Sequence, residues 1–114
     1  MINATPNTFL MINGRDGNAI KIDYLELKKS SMILRALNHN LRQSMLKLLE
    51  QQTRLTVTEI YIQLRLEQSV ASQHLAILRR AGTVKTIREG KYIYYELHNK
   101  RLDEIRKCVV DLLA

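Results

Sequence analysis

Leu66-Glu67-Gln68-Ser69-Val70-Ala71-Ser72-Gln73-His74-Leu75-Ala76-Ile77-Leu78-Arg79-Arg80-Ala81-Gly82-Thr83-Val84 is the stretch on which the fold of this chain turns. Placed about 100° apart, Ala71, Leu75 and Leu78 fall on one side of a helix and form a core stripe. Ser69, Ser72, Gln73, Ala76 and Arg80 fall on the opposite side. The spacing predicts a helix from Gln68 to Ala81, stopped by Gly82 where a left-handed residue is favoured. Its outer face carries short polar groups near the start and a cation near the end. That chemistry suits a groove-reading helix: Gln bonds base edges, Ser bonds phosphate, and small residues permit close approach.

Working outward, Thr56 and Glu59 have the spacing of a capping box and open a short helix to Leu64. With the turn Arg65-Leu66-Glu67 this completes a helix-turn-helix pattern. Beyond Gly82 the period changes. Thr83 to Arg88 and Lys91 to Leu97 are rich in Val, Ile, Thr and Tyr and read as strands, with Glu89-Gly90 as the tight turn. Ile93, Tyr95 and Leu97 share one face of the second strand, and Tyr92, Tyr94 and Glu96 the other. Between Arg79 and Lys91 five basic residues (Arg79, Arg80, Lys85, Arg88, Lys91) stand against one acid, Glu89. Arg88 and Lys91 flank the turn, where a wing reaches a phosphate backbone or an adjacent minor groove. Tyr92 and Tyr94 have two readings, a backbone contact or packing over the stems of neighbouring Lys and Arg.

Farther out, residues 23–37 read as a helix broken by Asn38-His39-Asn40. Asn40 and Gln43 have capping-box spacing ahead of a helix to about Glu50, with Leu41, Met45, Leu48 and Leu49 on its apolar side. A last helix covers about 99–113. The fold class is therefore mostly α with a β-hairpin wing, a winged helix-turn-helix in the order helix, helix, helix-turn-helix, hairpin, helix. Residues 23–114 form this domain. Residues 1–22, Asn-rich at the start, form either a small hairpin (Phe9–Ile12 and Ala19–Ile22 around Asn13-Gly14-Arg15-Asp16-Gly17) or a frayed tail.

The chain has 114 residues, enough for one domain, and a net charge of +7. A basic excess on so short a chain points to a polyanion, and double-stranded DNA fits the helix-turn-helix. The single cysteine, Cys108, forms no intrachain disulfide, which suits a reducing compartment. There is no basic segment followed by a signal-type apolar core, and no apolar run of about 20 residues. The expectation is a cytoplasmic protein with no membrane partner. No phosphate-binding Gly-rich loop, nucleophile elbow or carboxylate pair in an evident pocket is present, so an enzyme is not expected.

The quoted stretch strongly resembles the recognition helix of ArsR/SmtB-type regulators, whose pattern is roughly L-S-Q-S-x-V-S-x-H-L-x-x-L-x-x-A-G-L-V. Arg88-Glu89-Gly90-Lys91 and Tyr94-Tyr95-Glu96-Leu97 resemble that family's wing. Ala36-Leu37, Arg42 and Leu46-Lys47-Leu48-Leu49 resemble its second helix. The likeness spans about residues 25–113. It implies a homodimer joined mainly through the first and last helices, binding an imperfect inverted repeat, usually to repress. DNA contacts are then expected from Gln68, Ser69, Ser72, Gln73, Arg80, Arg88 and Lys91. Leu102, Ile105, Val109 and Leu112 recur at intervals of three, four and three residues, a seam for a dimer contact or for closing the monomer core. Three positions depart from the pattern: Glu67 stands where Ser is usual, Ala71 where Val or Thr is, and Thr83 where Leu is.

Many relatives in that family bind metals, and the resemblance locates where. One site uses Cys-x-Cys at the helix-turn-helix entrance; Thr56 and Thr58 stand there, and neutral hydroxyls do not replace thiolates. Another uses Asp and His on the last helix; Asp103 is present, but Ile105 holds the His position and the chain ends at Ala114. His39, His74 and His98 lack the short mutual spacing of a metal site. No metal or other cofactor is expected, and the sequence names no effector. Cys108 is expected as a small apolar residue on a packed helix rather than a redox switch. The competing reading is a winged-helix protein-interaction module that no longer binds DNA.

Overall fold

The computed structural model describes residues 8–114. Two compact units divide the chain, Met1–Met32 and Ile33–Ala114. In the first, strands β1 (Phe9–Asn13) and β2 (Ala19–Asp23) pair antiparallel, Phe9 opposite Asp23 and Asn13 opposite Ala19. The described part of this segment is a two-stranded hairpin, and the Asn-rich start up to residue 7 lies outside the described residues. Its loop closes through Gly14 N–H donating to Asn18 O at 2.7 Å, with Asp16 Oδ1 accepting from Asn18 N–H at 3.0 Å. Helix α1 (Tyr24–Leu37) follows directly, capped by Asp23, whose Oδ1 accepts from Leu25 N–H at 2.8 Å.

The second unit is the winged helix. Its elements are α2 (Asn40–Gln52), β3 (Arg54–Thr56), α3 (Val57–Gln63), α4 (Gln68–Arg80), β4 (Val84–Glu89), β5 (Tyr92–Leu97) and α5 (Asn99–Leu113). The core is a single cluster of Met45, Leu49, Leu55, Ile60, Ala71, Leu75, Leu78 and Val84, drawn from α2, β3, α3, α4 and β4. The expected stripe on α4 is therefore the part of that helix the core takes.

Three local expectations change. Asn40 does not cap α2. His39 does, its Nδ1 accepting from Leu41 N–H at 3.2 Å, while Gln43 turns back to donate to Leu37 O at 2.9 Å. Residues 54–56 are a strand, making the sheet three-stranded in the order β3-β5-β4. The wing turn is Gly90-Lys91 rather than Glu89-Gly90, because Glu89 still pairs with Tyr92. Gly90 has φ +60°, and a two-residue turn with the left-handed residue first is the type II′ geometry that matches strand twist.

The helix-turn-helix is built from two matching helix ends. At the end of α4, Gly82 (φ +76°) donates to Arg79 O at 2.9 Å and Thr83 N–H to Leu78 O at 3.1 Å, a Schellman cap. At the end of α3 the same pattern forms with Arg65 N–H to Ile62 O and Leu66 N–H to Tyr61 O, but the left-handed position holds Arg65 (φ +56°). Thr83 is fully buried, and its hydroxyl donates to Leu78 O at 2.9 Å, so the departure from Leu leaves no unpaired polar group. Thr56 and Glu59 do form the capping box on α3.

Candidate nucleic-acid interface

Helix α4 separates its two faces cleanly. Ala71, Leu75 and Leu78 are 0% exposed, while Gln68, Ser69, Ser72, Gln73, Ala76 and Arg80 are all exposed. Those five polar side chains make no hydrogen bond or ion pair within the described residues, so their donors and acceptors are free for an external ligand. At the start of the helix Glu67 is the N-cap but makes no side-chain cap bond. The amides of the first turn are left to the solvent or to an anion.

His74 sits between the two faces. Its Nδ1 lies 3.1 Å from Arg42 Nη1, and its ring centroid is 4.8 Å from that of His39. Arginine only donates, so Nδ1 accepts and the neutral ring carries its hydrogen on Nε2. Burial first, then the neighbouring His39 and Arg42, hold its pKa below the ordinary imidazole value. Arg42 is itself only 8% exposed and also donates to Ala36 O at 2.6 Å and Arg35 O at 3.2 Å. It thus satisfies the last carbonyls of α1 and braces α4 at once.

The wing adds exposed cations of its own. Arg88 and Lys91 are exposed, and Arg79, Arg80, Arg88 and Lys91 have no acidic partner among the described residues. Lys85 pairs with Glu96 at 3.4 Å. Glu89, the one acid of this stretch, is held by Arg54, with Nη1 2.7 Å from Oε1 and Nη2 2.6 Å from Oε2. The Arg54 guanidinium lies 4.4 Å from the Tyr94 ring centroid, and Lys91 Nζ lies 5.3 Å from that of Tyr92. Both tyrosines thus lie against cationic side chains of the wing, Tyr94 beside Arg54 and Tyr92 beside Lys91.

On α5 the four seam residues part company. Ile105 is 7% exposed and belongs to the protomer's own interior, and Leu102 is half-buried. Val109 and Leu112 are exposed, with Val110 and Leu113 beside them. Cys108 is exposed as well, contrary to the packed position expected for it. Ile93, expected on the core face of the wing, is also exposed, because the strand outruns the core at the tip. No group of three or more His, Cys, Asp and Glu converges among the described residues. No helix there is long and apolar enough to cross a membrane.

The arrangement matches known proteins. A family model described as bacterial regulatory protein, arsR family, matches residues 39–86, from the cap of α2 into β4. The transcriptional repressor PagR of Bacillus anthracis is 34% identical over 89 residues, 78% of this chain and 89% of that protein. The chain belongs to the ArsR family. The arsenic resistance transcriptional regulator ArsR1 of Pseudomonas putida is 34% identical over 75% of this chain and 70% of that one. The crystal structure of PagR superposes with a TM-score of 0.61 at 32% identity, over 76% of this chain and 99% of that chain. As a member of that family the chain is a DNA-binding transcription regulator, and the family is not one of enzymes.

Two residues that brace this surface escape a reading of the sequence. Arg54 gives no signal, lying in a three-residue strand that has no measurable period. Arg42 enters only through the family resemblance, although its spacing of three and seven residues from the apolar Met45 and Leu49 is a clue that its head group lies near the core and needs partners.

Proposed function

We propose that this ArsR-family protein is a repressor that binds an inverted-repeat operator as a homodimer and does so without a metal. Gln68, Ser69, Ser72 and Gln73 read base edges and nearby phosphates from α4. Arg80, Arg88 and Lys91 fix the register on the backbone. The observation that carries this reading is the contrast on α4, a fully buried stripe backed by a polar face whose groups are unpaired. A face that docked on another protein's apolar surface would carry large apolar side chains, whereas this one carries Gln, Ser and Arg, the groups that bond base edges and phosphates.

One recognition helix reads a half-site, so useful affinity needs two, set about 34 Å apart by a dimer. The exposed end of the α5 seam, Val109 and Leu112, supports a dimer contact there, with Ile105 anchoring the helix from within the protomer. The metal-free reading rests on side chains already engaged elsewhere: the Thr56 hydroxyl is tied into the capping box, and Ile105 is buried. A cytoplasmic location follows for a protein whose ligand is genomic DNA.

The test is selection of bound DNA from a random pool, followed by sedimentation of the protein and its Val109→Glu variant. A palindromic selected site, a wild-type dimer, and a monomeric variant that no longer binds are the expected results. A zinc-loaded protein that releases the site, or a dimer untouched by Val109→Glu, would overturn the corresponding part.

A further inference from the structure

A wing that meets phosphate would be expected to shed its acids, yet Glu89 stands between Arg88 and the turn residues Gly90-Lys91. Its partner comes from the far side of the sheet. Arg54 opens β3, and β5 lies between β3 and β4. The Arg54 side chain therefore crosses the middle strand, with its guanidinium 4.4 Å from the Tyr94 ring centroid, and ends on both oxygens of Glu89 at 2.7 and 2.6 Å. One side chain ties all three strands together beside the turn.

Both partners are well exposed, and exposed ion pairs contribute little to folding. The geometry is nonetheless specific. A two-pronged guanidinium on a carboxylate, stacked on an aromatic ring, fixes direction in a way a lysine does not. The Glu89 carboxyl is held below its ordinary pKa chiefly by the hydrogen bond from Arg54, consistent with a pair formed throughout the neutral range. Without it the last residues of a two-stranded tip would fray.

We propose that Arg54 is a positioning residue for DNA binding, which uses Glu89 as its anchor to hold the wing tip where Arg88 and Lys91 meet the phosphate backbone. The proposal rests on the DNA-binding reading above. It makes a counter-intuitive statement about charge. If Glu89 were merely an acid near DNA, removing its charge would tighten binding. If it is an anchor, removing it weakens binding.

The experiment is a titration of the full-length protein with its selected DNA site at several salt concentrations, beside amide hydrogen exchange of the free protein. Glu89→Gln and Arg54→Ala should each weaken binding roughly tenfold and lower the salt slope by about one for each phosphate no longer neutralised. The double variant should be no worse than either single change, because the two residues act as one unit. Arg54→Lys should fail to restore binding. In the free protein both single variants should speed exchange of the Glu89 to Tyr92 amides while the α4 amides stay protected, which is read without any DNA. Tighter binding by Glu89→Gln, additive losses in the double variant, or full activity of Arg54→Lys would overturn the proposal, the last by making Arg54 a simple phosphate contact. If the wild type binds no DNA, the underlying reading fails with it. If the wild type binds and Glu89→Gln is unchanged, only the positioning role fails.

Discussion

The two units of this chain are held together in opposite ways. Among the described residues up to Met32 none is buried, and Phe9, Met11, Ile12, Ile20, Ile22, Leu25 and Leu27 all stand open to solvent. From Ile33 onward the core has side chains that are 0% exposed on three successive helices: Met45, Ile60, and Ala71, Leu75 and Leu78. The first unit is specified by local hydrogen bonds, a loop closed by Asp16 and Asn18 and a helix start capped by Asp23. The second is specified by burial. A hairpin can be written in turn residues alone, but a DNA-reading helix must be pinned from behind, because its outer face has to stay free.

The largest expected contrast tests that difference directly. Leu75→Ala removes a fully buried side chain behind the recognition face and should cost about 2–5 kcal/mol in chemical denaturation. Ile20→Ala removes a side chain 54% exposed and should cost less than about 0.5 kcal/mol in the same transition. Equal costs would mean that Ile20 is covered in solution.

Next in size is the contrast in DNA binding. Gln73→Ala should cost about 1–3 kcal/mol on the selected site and relax base choice. Lys91→Ala should weaken all sequences alike and lower the salt slope by about one. Lys21→Ala removes a cation of equal charge from the hairpin, where it lies 3.9 Å from the Phe9 ring centroid, and should leave the slope unchanged. A slope that responds to Lys21 would bring the hairpin into the footprint.

How far the sequence can be read follows the same divide. The two faces of α4 are legible because thirteen residues with a strong polar–apolar contrast leave little choice of rotation. The capping box at Thr56 and the stop at Gly82 are legible because each requires particular residue types. The α2 cap lies one residue from its expected place, since an imidazole nitrogen accepts as well as an Asn oxygen and Gln43 has a better use at Leu37 O. The wing turn is displaced by one because Gly90 is first rather than second in it. The α5 seam has the expected period, but periodicity does not say which residues face the protomer's own interior, and Ile105 does. The wing's clamp is not legible at all, because Arg54 and Glu89 are brought together only by a strand lying between them.

A smaller effect separates the units by pH. In the second unit the His74 imidazole is held below its ordinary pKa, so in the window just under that ordinary value the unfolded chain binds a proton that the folded chain refuses. Stability should therefore fall as pH drops from 7 towards 5. In the first unit the Asp16 carboxyl is held low by hydrogen bonds from Asn18, and its contribution is present at neutral pH and lost as pH falls through the ordinary carboxylate range and below it. His74→Asn keeps an acceptor for Arg42 and should flatten the profile between pH 5 and 7 measured by denaturation. A profile unchanged by that substitution would move the titration to another group.

The smallest effect concerns how each unit treats left-handed backbone. The hairpin places Gly17 at its positive-φ position (φ +83°), whereas the helix-turn-helix places Arg65 there (φ +56°). A side chain in that conformation costs roughly 1–2 kcal/mol, and glycine gives back about 0.4–1 kcal/mol through the freedom of the unfolded chain. Arg65→Gly should therefore stabilise the winged helix by at most roughly 1.6 kcal/mol. The turn tolerates Arg65 because its surroundings fix it: Leu66 N–H reaches Tyr61 O at 2.9 Å, and the Leu66 side chain packs on the core. The hairpin has no such support, so Gly17→Ala should raise amide exchange across Asn13 to Ala19 far more than the corresponding strain at Arg65 disturbs its turn. If Arg65→Gly lowers the denaturation midpoint instead, the Arg65 side chain makes a favourable interaction that outweighs its backbone strain, and the turn is held by that side chain as well as by the core behind it.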